Sequence, residues 1–90
     1  MPLKRCALRD IRTLDQFYDE LARQLAFPAH FGRNLDALWD VLTSDVAGPL
    51  EIGWEESAKA QANLGLDYTK LITLFKDVAA ERDDFTFVLH

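Results

Sequence analysis

The chain has 90 residues, of which 49% are hydrophobic and 28% charged, so its composition excludes a disordered chain and predicts one globular domain over residues 1–90. Its single cysteine, Cys6, excludes an internal disulfide. Because the sequence has neither a signal-peptide core nor an apolar run of roughly 20 residues, we expect a cytoplasmic protein without a membrane span. The formal net charge is −5, and because residues 34–58 contain no Lys or Arg, we expect a basic partner and no binding to nucleic acid.

The first part of the chain predicts a strand and then an amphipathic helix. Residues 3–8, LKRCAL, are typical of a strand. Thr13 and Gln16 form a capping-box pair at which a helix begins. Apolar residues at helical spacing predict its buried face, which consists of Leu14, Phe17, Tyr18, Leu21 and Leu25. This helix should end before Pro28, because the residue preceding a proline is pushed out of the helical conformation.

A loop and a second helix follow. Residues 27–32, FPAHFG, read as a loop, and Asn34 is a good N-cap for a helix from Leu35 to about Ser44. The predicted core face of this helix consists of Leu35, Leu38, Val41 and Leu42. The pair Gly48-Pro49 then breaks the chain.

The remainder predicts a strand, two helices and a final strand. Residues 50–54 alternate in the manner of a strand, and residues 56–64 form a short helix that ends at Gly65. Asp67 is the predicted cap of the last helix, whose buried face consists of Leu71, Leu74, Phe75 and Val78. The nearly continuous apolar run 85–89 predicts a central strand covered on both faces. Because a helical connection between two strands favours their parallel pairing, we predict an α/β fold with a three-stranded parallel sheet packed by four helices.

Opposite its leucine core, the second helix has a second face that we predict to be exposed. This face, which we call the acidic strip, consists of Asp36, Trp39, Asp40 and Thr43. At the α-helical rotation per residue, Asp36 and Asp40 lie about 40° apart, and like charges at this spacing repel. His30 and Phe31 lie in the loop before it. On the residue pattern alone, a solvated acidic surface is favoured over a binding surface, since the helix dipole accounts for Asp36 and Trp39 can lie at the edge of the core.

Catalysis is a weaker interpretation of the same residues. Two carboxylates and a histidine could act as acid and base, but residues one helical turn apart project in parallel and do not flank a substrate bond. The sequence pairs no Ser or Cys with a base and has no glycine-rich phosphate loop, and Asp36 with Asp40 supplies only two ligands for a divalent ion. We therefore predict no enzyme activity, no metal site and no cofactor.

Residues 27–52, FPAHFGRNLDALWDVLTSDVAGPLEI, resemble the barstar family of intracellular inhibitors of barnase-type ribonucleases. The most specific part is NLDALWD, which stands intact as Asn34 to Asp40, and the chain's ending, LITLFKDVAAERDDFTFVLH, fits the family more loosely. The resemblance implies a three-stranded parallel sheet with four helices, which agrees with the fold that the residue pattern predicts.

The resemblance also implies a site, because in this family the second helix and the preceding loop plug the ribonuclease active site. By position, Asp40 would occupy the site of an RNA phosphate and meet the enzyme's catalytic arginines and histidine. Asp36 would contact a neighbouring basic or histidine group of the enzyme. The residues that would pack around these two carboxylates are Asn34, Leu35, Trp39 and Thr43. Asp77 and Glu81 on the last helix would form a second acidic patch, although a solvated face explains their spacing equally well.

Three residues depart from the family pattern. His30 stands where we expect an aromatic residue such as Tyr to stack on the enzyme, and Asp45 stands where an aromatic residue can also occur. Arg33 adds a positive charge beside the acidic strip. Two interpretations of the partner therefore stay open: a barnase-type ribonuclease or related RNase toxin, or a non-nuclease protein bound by a barstar-like module. Either requires only a monomer in a 1:1 complex.

Overall fold

The computed structural model describes residues 3–90. Its strands are β1 (Lys4–Leu8), β2 (Leu50–Trp54) and β3 (Phe85–Leu89), and its helices are α1 (Leu14–Leu25), α2 (Leu35–Asp40), α3 (Ser57–Leu64) and α4 (Leu66–Glu81). Helix α2 continues directly into one π-helical turn, Val41–Asp45. The strands form one parallel sheet, which confirms the predicted α/β fold with a three-stranded sheet and four helices.

The strand order is β1-β2-β3, so β2 is the central strand and the prediction that β3 is central was wrong. Strand β3 pairs only with β2, and of its five residues only Phe85 is buried, whereas Val88 and Leu89 are exposed. The nearly continuous apolar run 85–89 suggested a strand covered on both faces, whereas this sheet buries one face more completely than the other. Alternate β2 residues are buried while Glu51 and Gly53 between them are only partly covered, so even the central strand alternates.

Helix α1 begins and ends as its sequence predicts. The Thr13 side chain accepts a hydrogen bond from the backbone N–H of Gln16 at 3.1 Å, and the Gln16 side chain accepts one from the backbone N–H of Arg12 at 2.8 Å. The helix ends at Ala26, which takes the left-handed conformation, so the chain has left the helix before Pro28.

The core forms between the sheet and the helices and is centred on aromatic side chains. Trp54 of β2 is fully buried, and its ring stacks on Phe17 of α1 with centroids 5.2 Å apart. The ring of Tyr68 of α4 lies at the same centroid distance from Trp54, tilted by 59°. The predicted core residues of α1 and α4 are buried in this cluster, apart from the partly buried Leu14.

The beginning of α4 differs from the prediction. Asp67 does not cap this helix; it lies within the first turn, and the residue before the helix is Gly65. Gly65 has φ +58, a conformation that glycine adopts without steric cost, and it ends α3 as predicted. The acidic side chain of Asp67 therefore contributes through the helix dipole rather than through a cap. Within residues 3–90, no helix combines the length and apolar character needed to cross a bilayer.

Candidate functional site

The start of α2 is held by Asn34 in the way the sequence predicts. Its backbone is extended, and its side-chain Oδ1 accepts a hydrogen bond from the backbone N–H of Ala37 at 2.8 Å. Its Nδ2 donates to the carbonyl oxygen of Gly32 at 3.1 Å. Asn34 is therefore fixed by two local hydrogen bonds, and it sets the direction in which α2 leaves the loop.

Most of the predicted core face of α2 is buried. Leu38 and Leu42 are fully buried and Val41 is 5% exposed. Leu35 was wrongly assigned to this face, since 36% of it is exposed. It is the first residue of the helix, and because helical side chains tilt towards the N-terminus, it extends past the edge of the core.

Asp36 and Asp40 are exposed, as expected for the acidic strip. Across residues 3–90, no Lys, Arg or His nitrogen lies within 4.0 Å of either carboxylate. Neither carboxylate therefore has an ion-pair partner within the described chain, and both can accept hydrogen bonds from a partner protein.

Arg33, which the sequence places beside the acidic strip, turns away from it. Its Nη1 lies 2.8 Å from a carboxylate oxygen of Asp19, and its Nη2 donates to the carbonyl oxygen of Asp15 at 2.9 Å. The guanidinium carbon also lies 5.8 Å from the centre of the Tyr18 ring. Hydrogen bonding to Asp19 raises the pKa of Arg33, so this cation is committed to α1 rather than to Asp36.

The other two residues of the acidic strip are less accessible than predicted. Trp39 is partly buried and packs against the core. Thr43 is also partly buried, and its hydroxyl donates to the carbonyl oxygen of Trp39 at 2.7 Å. The Thr43 hydroxyl hydrogen is therefore used within the helix, which leaves its methyl group and its oxygen lone pairs for a partner.

A shallow groove between α2 and α4 brings several predicted site residues together. Its apolar part is formed by Leu35, Trp39 and Leu74, and the carboxylates of Asp36 and Asp77 belong to the same groove. Thr69, Lys70 and Thr73 complete it. The structure thus joins Asp77 to the acidic strip, whereas Glu81, exposed near the end of α4, does not line this groove. Lys70 was not predicted for the site, because its position opposite α2 depends on tertiary packing.

A second depression lies on the other side of α2. It is lined by His30, Asp40 and Asp45, together with the loop residues Pro28, Phe31 and Gly32. His30 therefore lies near Asp40, as the loop position suggested. Asp45 was not among the predicted site residues. On a regular α-helix Asp45 would point about 140° away from Asp40, because the two residues are five apart. The π-helical turn, in which hydrogen bonds join residues five apart, changes that angle.

The described part of the chain contains no cluster of three or more His, Cys, Asp or Glu side chains that could hold a metal ion. Cys6 is buried, and burial raises the pKa of its thiol to about 12, so the thiol is protonated and inert at neutral pH. The arrangement offers a candidate recognition surface, in which a capped helix carries two exposed carboxylates between two depressions.

Two comparisons with known proteins identify the family of this chain. Residues 1–90 match the family model described as "Barstar (barnase inhibitor)". The chain is also 32% identical over 82 residues to a protein of Bacillus subtilis (strain 168) named "Putative ribonuclease inhibitor YrdF", and the match covers 90% of each chain. The protein therefore belongs to the barstar family.

Proposed function

We propose that this protein inhibits a barnase-type ribonuclease, or a related RNase toxin, by inserting the acidic strip of α2 and the preceding loop into the enzyme's basic active site. The observation that carries the proposal is the pair of exposed carboxylates, Asp36 and Asp40, with no cation within 4.0 Å in the described chain. Membership of the barstar family and the name of the Bacillus subtilis relative support it.

The mechanism is electrostatic and steric blockade without chemistry in the inhibitor. A ribonuclease binds RNA phosphate through cationic side chains, and the Asp40 carboxylate presents a planar anion to the same donors. Such a charge stabilises a complex only when its partners are complete, because a desolvated carboxylate without them is costly. The repulsion between Asp36 and Asp40 in the free protein would be relieved when cations of the enzyme lie between them.

The residues around these carboxylates have supporting roles in the proposal. Asn34 fixes the start of the helix, and Leu35 and Trp39 supply apolar contact area beside the charges. His30 offers a ring for stacking next to Asp40, and Thr43 offers its methyl group. Asp77 and Glu81 on α4 extend the negative surface towards a basic enzyme.

We further propose that residues 1–90 act as one barstar-like domain, a monomer that forms a 1:1 complex in the cytoplasm. A plug of this kind needs one surface, no cofactor and no second copy of the chain. The single buried thiol suits a reducing compartment, since the fold of the described residues uses no disulfide.

Affinity capture tests the identity of the partner. The wild-type protein and the folded double variant Asp36→Asn/Asp40→Asn are immobilised and exposed to lysate of the source cell. We expect the wild type, but not the double variant, to retain a basic protein that cleaves RNA once it is released. Retention of a protein without nuclease activity would instead favour the alternative, a barstar-like binding module for a non-nuclease partner. Equal retention of the nuclease by both baits would contradict the assigned surface.

A further inference from the structure

Arg82, in the connection between α4 and β3, reaches across to the end of α2. Its side chain is only 13% exposed. Its Nη1 donates to two backbone carbonyl oxygens, that of Leu42 at 2.6 Å and that of Val46 at 2.9 Å. One side chain thus holds both the π-helical turn and the residue that follows it.

The need for this donor arises from the π-helical turn itself. In an α-helix the backbone N–H of Val46 would donate to the carbonyl oxygen of Leu42. Here it donates to the carbonyl oxygen of Val41 at 3.1 Å, one residue earlier. The Leu42 carbonyl is left without its α-helical donor, and the cation of Arg82 supplies a charge-assisted replacement.

The other edge of the Arg82 guanidinium is fixed as well. Nε and Nη2 lie 2.8 Å and 3.0 Å from the two carboxylate oxygens of Asp84, a bidentate pair. Hydrogen bonding to Arg82 lowers the pKa of Asp84. Gly48 packs directly on this pair, and a Cβ atom at that position would overlap both the Asp84 carboxylate and the Arg82 guanidinium. The orientation of Arg82 is therefore set from three sides.

We infer that Arg82 is a positioning residue for the inhibitory surface. By holding the Leu42 and Val46 carbonyl oxygens, it fixes the π-helical turn, and with it the placement of Asp45 and of the C-terminal end of α2 where Asp40 lies. This inference rests on the proposed function, because the surface being positioned is the acidic strip. Arg82 itself makes no contact with the partner in this account.

A double-mutant cycle tests the inference with purified barnase as the probe. We expect Arg82→Gln to weaken barnase binding about tenfold in the wild-type background but by less than about threefold in the Asp40→Asn background. If Arg82 acts by positioning Asp40, both substitutions affect the same contact with barnase, so their effects are not additive. If Arg82 has a merely structural role, Arg82→Gln should cause the same loss of barnase affinity in both backgrounds. That result would overturn the inference. Asp84→Asn, which keeps Arg82 but removes its bidentate partner, should act in the same direction with a smaller loss.

Hydrogen exchange supplies a readout that needs no partner. In Arg82→Gln we expect faster exchange of the backbone amides in residues 43–46, while the amides of α1 keep their wild-type rates. Unchanged rates at 43–46, or an equal acceleration throughout the chain, would overturn the inference. If the wild type does not bind barnase, the proposed function fails for that enzyme, and the exchange rates still decide whether Arg82 fixes this turn.

Discussion

The guanidinium of Arg33 pairs with Asp19 of α1 at 2.8 Å and has no ion pair with Asp36, which lies only three residues further along the chain. Arg33 is therefore close to the acidic strip in the sequence, but its guanidinium is directed away from the strip in the structure. This arrangement leaves Asp36 and Asp40 free, and several consequences for stability and binding can be measured.

The free protein should become slightly more stable when Asp40 is neutralised. Asp40→Asn removes a like-charge pair four residues apart, so we expect a gain of about 0.2–0.5 kcal/mol in the free energy of unfolding. Asp36→Asn should change stability less, because it relieves the same repulsion but also loses a favourable interaction with the helix dipole. Urea denaturation at low salt measures both. A loss above about 1 kcal/mol in Asp40→Asn would show that Asp40 has a structural role.

The cap at Asn34 should be worth more than any of these surface charges. Asn34→Ala removes the acceptor for the Ala37 backbone N–H, and we expect a loss of about 1 kcal/mol in the free energy of unfolding. Asn34→Ser is the matched control, because a serine hydroxyl can accept the same hydrogen bond. Urea denaturation of the two variants compares them directly. Equal destabilisation would mean that the side chain contributes through something other than capping.

Association with the ribonuclease should depend steeply on salt. Electrostatic steering by the acidic strip predicts that the association rate falls about tenfold or more between low and high ionic strength. Stopped-flow fluorescence can follow Trp39, which is partly exposed in the groove, while Trp54 stays buried in the core. The double variant Asp36→Asn/Asp40→Asn should show a flatter salt dependence.

The matched control for this experiment is Asp10→Asn. Asp10 is an exposed carboxylate outside the acidic strip, and it pairs with Arg12 at 3.1 Å. Its removal changes the net charge without changing the proposed surface, so the salt dependence should stay close to that of the wild type. If Asp10→Asn flattens the salt dependence as much as the double variant, net charge rather than the acidic strip steers association.

Cys6 should make the protein less stable at alkaline pH. Burial raises the pKa of the folded thiol from 9.0 to about 12. Above pH 9 the unfolded chain therefore releases a proton that the folded chain retains, and ionisation favours unfolding until the pH reaches the folded pKa. Between pH 8 and pH 10 we expect a loss on the order of 1 kcal/mol from this group.

Comparison of the wild type with Cys6→Ala at the two pH values isolates that loss. Cys6→Ala should be less stable than the wild type at pH 8, because the substitution leaves a small cavity. Between pH 8 and pH 10, however, its free energy of unfolding should fall by less than that of the wild type. Parallel losses in the two proteins would mean that other groups account for the alkaline instability. An alkylating reagent should also react with Cys6 only after the protein unfolds.

The sequence predicts well where local rules and core packing agree. The Thr13 and Asn34 caps, the end of α1 before Pro28 and most of the core leucines followed from spacing and hydrogen-bonding chemistry that operate within a few residues. The motif from Asn34 to Asp40 carried the family resemblance, and the family match over residues 1–90 agrees with it.

Apart from the cap wrongly assigned to Asp67, the errors and omissions concern relations that no local pattern encodes. The central place of β2 depends on which strands pair, and the exposure of Leu35 depends on where the core ends beneath α2. Arg82 gave no signal in the sequence, because its function appears only when the π-helical turn leaves the Leu42 carbonyl without a donor. Asp45 enters the site through the same turn. Tertiary contacts over long sequence separations decide all four.

The central claim is that the Asp40 carboxylate blocks a ribonuclease active site. Its most direct test is RNA cleavage by purified barnase, titrated with the wild type, with Asp40→Asn and with the control Asp10→Asn. We predict that the wild type and Asp10→Asn abolish cleavage at a 1:1 ratio and that Asp40→Asn inhibits at least about thirtyfold more weakly, which corresponds to the low end of the cost of leaving a buried charge unpaired. Equal inhibition by Asp40→Asn and the wild type would contradict this claim. No inhibition of barnase by the wild type at micromolar concentration would contradict it for barnase.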